Sequence, residues 1–354
     1  MPITPNPTVA AILEIASKRE APIDRTRNSF DAIRLAAAMT VIVGHAFVLT
    51  GSGPAPVVLG FPIHSLAVAV FFATSGYLIA GSWETRPGIV RFVRHRALRI
   101  FPALVAVVLI TVFVIGPLFT TRDLATYVTS AQTWTYLQGM TTLVQYELPG
   151  VFVGHPRAVV NGSLWSLGVE LVCYAAVILV GLTPPRARSL GYLALGLLAA
   201  TIFFVTAATT LFPGFADAAP AIVFFAVGAL LRIAVPESAY RRRTAALALS
   251  VWAIATALWP EAAIPFAWLA LPYCVVTCGR VRTPASKTLA RMGDVSYGTY
   301  LWGFLVQQIV IAILGPIPLI VNIGIVLVGS VALGWLSWIL IERPALSIKN
   351  RSSR

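Results

Sequence analysis

The sequence runs to 354 residues, 58% of them hydrophobic and only 11% charged. Soluble domains carry about a quarter charged residues, so an ordinary soluble enzyme is excluded and spanning helices of roughly 20 apolar residues are indicated instead. The net charge of +13 does not point to nucleic acid, because the basic residues fall in small clusters between apolar runs and form no continuous basic face.

Residues 1–28 contain one short amphipathic stretch followed by KRE and DRTR. That order is not a basic region, an apolar core and a small-residue cleavage site, so no cleavable signal is expected. Ten apolar segments follow, at about 31–50, 61–82, 100–119, 163–183, 190–212, 219–234, 244–259, 263–278, 295–314 and 317–341. Helices are expected, because an open strand in lipid leaves backbone groups unpaired. The seventh and eighth segments are short and fit tilted or partly interfacial helices. The longest break is about 120–162, and no internal repeat is visible. The expected architecture is an all-α polytopic transmembrane bundle of about ten spans: a cytoplasmic segment 1–28, a membrane domain 29–345 and a tail 346–354. Of the 26 Lys and Arg residues, only Arg122 and Arg157 fall between segments on the outer side. The positive-inside rule then places both termini in the cytoplasm. Cys173, Cys274 and Cys278 sit inside apolar runs and read as packing thiols. No metal-ligand set stands out.

Four stretches carry residues suited to chemistry. In the first segment, FDAIRLAAAMTVIVGHAF, Arg34 and His45 are eleven residues apart. On a helix they share nearly one face, roughly 16 Å apart along the axis. Two readings are open. Arg34 and His45 grip the two ends of a long ligand, with His45 suited to proton transfer near neutral pH; or Arg34 snorkels and pairs with Asp31 while His45 packs in the core. In GIVRFVRHRALRIFP, just before the third segment, Arg96 and Arg99 share a helix face. They suit a phosphate-rich cofactor, or simply mark a cytoplasmic loop. In NGSLWSLGVELVCY, Glu170 lies near mid-membrane, where an ionisable carboxyl marks a functional site or a hydrogen bond to another helix. Asn161, Ser163 and Trp165 precede it. In GDVSYGTYLWGFLVQQ, Ser296, Tyr297, Tyr300 and Trp302 open the ninth segment, with Gln307 and Gln308 deeper. These fit cavity lining or interhelical contacts. His64 and His155 are expected near the outer surface, and His95 in the basic loop.

These motifs, taken together, resemble the membrane-bound acyltransferase 3 family of bacterial O-acyltransferases. The resemblance rests on Arg34 and His45; on Ser75, Gly76 and Tyr77 in VFFATSGYLIAGS; on Arg96 and Arg99 in RALRIFP; on Trp165 to Glu170; and on Ser296 to Leu301. It covers about residues 28–345. It implies transfer of an acyl group, commonly acetyl, from cytoplasmic acyl-CoA to a hydroxyl of a carbohydrate or lipid-linked glycan. It implies a catalytic role for His45, with Glu170 beside it, and donor binding by Arg34, Arg96 and Arg99. Asn161, Ser163, Trp165, Tyr297 and Tyr300 are the expected acceptor contacts, and the bacterial inner membrane the expected location. Many relatives carry a His where Gly303 stands here. The rival expectation is a glycan or lipid transporter, although the inverted repeats common in transporters are not seen.

Overall fold

The computed structural model describes residues 28–209, 217–281, 283, 286 and 293–351. The N-terminal segment 1–27 and the cations Arg282, Lys287, Arg291 and Arg354 lie outside the described residues. All ten apolar segments are helical. We number them α1 Phe30–Leu49, α2 Ile63–Thr85, α3 Ile89–Phe119, α4 Gly162–Gly181, α5 Pro185–Thr209, α6 Ala218–Ala234, α7 Arg242–Leu258, α8 Pro260–Gly279, α9 Ser296–Leu314 and α10 Leu319–Ile348. Among the described residues, eight are long and apolar enough to cross a membrane. The other two, α6 and α7, have 17 residues each. At 1.5 Å per residue they reach about 26 Å, short of a hydrocarbon core of about 30 Å. The short helices are thus the sixth and seventh. The eighth reaches 20 residues, because a turn at Pro260–Ala262 leads into it.

Two helices outrun their apolar cores. α3 begins at Ile89, directly after Gly88 at φ 149°, so the basic stretch is its first three turns and not a loop. Charged side chains do not end a helix, and Pro102 is the first residue within it that cannot donate a backbone bond. α3 later widens into a π-helical turn at Thr111–Ile115. There the Tyr127 hydroxyl donates to the Val112 carbonyl at 2.8 Å, satisfying a group that such turns leave exposed. α10 contains a second π turn, Trp338–Glu342.

The helices sort by their surroundings. α9 is buried almost all round, whereas α5 presents Leu190, Leu193, Leu197 and Leu198 outward, as a helix facing lipid does. α2 packs on α1 and α6, and α9 on α1 and α10. Between α1 and α2 a hairpin pairs Val57–Val58 with Phe61–Pro62. Its turn residues Leu59 and Gly60 both have positive φ (49° and 82°), the geometry that matches the strand twist of a two-residue turn. The hairpin sends the chain straight into α2, so His64 enters the bundle beside the end of α1. Gly44 lets it approach: a Cβ there would lie 2.8 Å from His64 Cβ. The break at 120–161 holds short helices at Leu124–Thr129 and Ala131–Thr135 and one bridge, Thr120 to Val151.

Candidate active site

The bundle has a polar knot at the end where α1 begins. Arg34 Nη1 donates to Asp294 Oδ2 at 2.8 Å, and Arg99 Nη2 donates to the same oxygen at 2.6 Å. Arg99 Nη1 reaches Glu342 Oε2 at 2.7 Å. Ser296 Oγ donates to Asp294 Oδ1 at 2.5 Å, and Ser337 Oγ to Glu342 Oε1 at 3.1 Å. Asp294 and Glu342 are both 1% exposed. Two cations face two carboxylates, so the knot is self-neutralising, as buried charges require. It ties α1, α3 and α10 to the residues just before α9. The Arg99 guanidinium also lies 5.1 Å from the Tyr297 ring centre and 6.0 Å from Trp338. Arg34 and Arg99 therefore come together, but through Asp294, and both terminal nitrogens of Arg99 are engaged.

Above the knot opens a cavity of about 620 Å³. Six arginines line it: Arg34, Arg86, Arg91, Arg96, Arg99 and Arg232. His95 joins them, against the carboxylates Asp31 and Glu170. Arg96 stacks against Phe92 (5.6 Å) and Tyr174 (5.7 Å), and its Nε has no hydrogen-bond partner. Glu170 accepts a 2.5 Å hydrogen bond from the Tyr174 hydroxyl, one turn along α4. A narrow space of about 40 Å³ continues into the bundle, between Arg34, Val68, Phe71, Ser75, Glu170 and Tyr300.

At the opposite end of α1 a second cavity, about 350 Å³, is lined by His45, His64, Tyr146, Arg157 and Phe304, among others. The His45 and His64 rings lie 5.2 Å apart, and Phe304 packs edge-on to His45 at 5.2 Å. Neither histidine Nδ1 has a hydrogen-bond partner. Arg34 and His45 thus open onto different cavities at the two ends of one helix. Glu170 stays with the arginines: it lines the first cavity and the narrow space, whereas His45 lines the second.

The remaining expected residues divide clearly. Tyr300 lines the narrow space, and its hydroxyl donates to the Ser163 carbonyl at 2.8 Å while lying 2.7 Å from Ser166 Oγ. Tyr297 lines it too, donating to the Ile100 carbonyl at 2.8 Å. Asn161 is fully buried; its amide donates to the Leu301 carbonyl at 3.0 Å and its Oδ1 caps Ser163 N. Asn161 and Ser163 thereby anchor the start of α4 to α9. Trp165 begins the α-helical part of α4 and is half-buried, outside the three cavities. Gln307 donates to Asn322 across to α10. Gln308 fastens the 155–159 loop to α9, donating to the Arg157 and Val159 carbonyls at 2.7 and 2.6 Å and pairing with His155 Nδ1 at 2.8 Å. Gln307 thus makes an interhelical contact, whereas Gln308 ties a loop to its helix. His64, Asp294 and Glu342 are the residues that the sequence reading missed. Among the described residues no cluster of three or more metal-binding side chains occurs.

Comparison with known proteins agrees with the family resemblance. The sequence model for the acyltransferase domain of this class matches residues 27–341. The chain belongs to the acyltransferase 3 family. It is 30% identical to nodulation protein 10 of Rhizobium leguminosarum bv. viciae over 365 residues, covering 91% of this chain and 94% of that protein. It is 35% identical to the O-acetyl transferase of Shigella phage Sf6 over 158 residues, covering 42% of this chain and 44% of the phage protein. No solved structure matches it. The family membership makes this chain a multi-pass membrane acyltransferase, and the transporter alternative falls with it.

Proposed function

We propose that this chain transfers an acyl group, acetyl by analogy with the phage relative's name, from cytoplasmic acyl-CoA to a hydroxyl of a carbohydrate or lipid-linked glycan, in the bacterial inner membrane. One observation carries the reading: a cavity lined by six arginines and a cavity holding two histidines lie at opposite ends of α1, with a narrow space that shares Arg34, Ser75, Glu170 and Tyr297 with the first. The arginines suit the phosphates of the donor. The pantetheine arm runs along α1 past Arg34, Ser75 and Tyr300, which brings the thioester toward His45. Nearly all basic loops share the donor side, in keeping with a cytoplasmic orientation.

The acceptor occupies the histidine cavity. His45 takes the proton of its hydroxyl as the oxygen attacks the thioester carbonyl. The tetrahedral centre collapses with cleavage of the C–S bond, and the proton passes from His45 to the departing thiolate. The products are the O-acyl ester and free CoA. Arg96 contacts the donor phosphates. Arg99 acts through Asp294 to hold Arg34 at the mouth of the narrow space, and Glu170, held by Tyr174, stands beside it. Mass spectrometry of surface glycans from cells with and without the protein tests the reading. A single acyl mass increment on a sugar is expected with the protein; identical glycan profiles would refute it.

His64 covers one side of the His45 ring. Replacing it with alanine removes that aromatic contact, worth about 0.5–1.5 kcal/mol. Transfer is expected to slow by roughly 3–10-fold with donor KM unchanged. A changed donor KM with normal turnover would place His64 elsewhere in the cycle.

A further inference from the structure

Most of the basic residues mark orientation, but one of them is placed where orientation does not require it. Arg232 lies in the last turn of α6, far in sequence from the Arg91–Arg99 cluster. It nevertheless reaches the 620 Å³ cavity. Its approach runs over Gly81 of α2: a Cβ there would sit 2.5 Å from Arg232 Nε. The guanidinium lies 5.7 Å from the Tyr77 ring centre, and the Tyr77 hydroxyl is held by Arg280 Nη1 at 2.8 Å. Arg280 pairs with Glu237, and Arg34 and Arg99 with Asp294. Arg232 forms no ion pair among the described residues. A stacked guanidinium, aimed into a cavity and lacking a carboxylate partner, keeps its fork of donors available for an anion.

We propose that Arg232 binds the phosphates of the donor nucleotide, from a helix separate from that of the α3 arginines, and that Gly81 is small so that it can do so. The inference rests on the donor reading above and adds α6 to the donor site. A cation on a second helix gives a polyphosphate two separate anchors, which sets its orientation as well as its affinity.

The test uses the full chain, purified into lipid nanodiscs, with free CoA and pantetheine as the titrated probes. Neither needs an acceptor. Wild type is expected to bind CoA far more tightly than pantetheine. Arg232→Ala should weaken CoA binding on the order of tenfold, the usual effect of losing a charged hydrogen bond, and leave pantetheine binding unchanged. Arg232→Lys should recover part of the loss. Gly81→Ala keeps the charge but displaces the side chain, so it should weaken CoA binding in the same selective way; it also serves if Arg232→Ala does not fold. CoA binding at wild-type strength in Arg232→Ala, or in Gly81→Ala should Arg232→Ala not fold, overturns the proposal and leaves the donor reading intact. Equal weakening of CoA and pantetheine also overturns it, since that reports general damage. If wild type itself does not distinguish CoA from pantetheine, the donor reading fails as well.

Discussion

His45→Ala is expected to reduce acyl transfer by about 10²–10⁴-fold, the range that a positioned general base contributes. Donor binding should survive, because His45 lies at the far end of α1 from the arginine cavity. The fold should survive too. His45 Nδ1 makes no hydrogen bond, and the ring touches His64 and Phe304 only through aromatic contacts. No buried partner is stranded when the imidazole is removed. The check is a time course of acyl transfer by purified variant and wild type, with CoA affinity measured alongside. Wild-type turnover in His45→Ala would exclude it as the base. Lost turnover together with lost CoA binding would mean that the substitution acts through structure.

Asp294→Ala should have the largest effect on stability. It leaves Arg34 and Arg99 both facing a buried gap, and breaking a buried pair by removing one partner costs about 3–5 kcal/mol. Arg34 also loses the contact that holds it at the mouth of the narrow space. The expected outcome is a markedly lower unfolding temperature in detergent and weaker donor binding. Asp294→Asn preserves the shape and one acceptor oxygen, so it should lie between the two. If Asp294→Ala unfolds at the wild-type temperature, the knot is not a stabilising element.

Much of this was readable from residue order. Apolar runs located ten helices, because a chain in lipid has to satisfy its own backbone. Arg34 and His45 were readable as a pair because both lie on one helix, where spacing converts directly to distance. What was missed lies between helices. His64 reads as an outer-surface residue until the hairpin before it and the space left by Gly44 bring it against His45. Arg99 reads as a free phosphate ligand; its partners are 195 and 243 residues away, and no local pattern announces them. The third segment reads as starting later than α3 does for a related reason, since a search for apolar runs passes over charged first turns. Gly303 has its own explanation in packing. A Cβ there would sit 2.5 Å from Ile42 Cγ1, one turn before His45. This chain uses that volume for an aliphatic contact.

The ionic knot has a consequence for how the protein is made. Arg34 and Arg99 are synthesised well before their partners Asp294 and Glu342, which lie 195 or more residues further along the chain. During synthesis the first three helices carry Arg34 and Arg99 without the two carboxylates that engage them in the finished fold. Such residues favour the headgroup region until partners arrive. The knot beside the arginine cavity therefore forms only when the segment from Asp294 through α10 docks. A nascent chain stalled before α9 would have most of its helices and many of its cavity arginines, but neither carboxylate of the lock that sets Arg34.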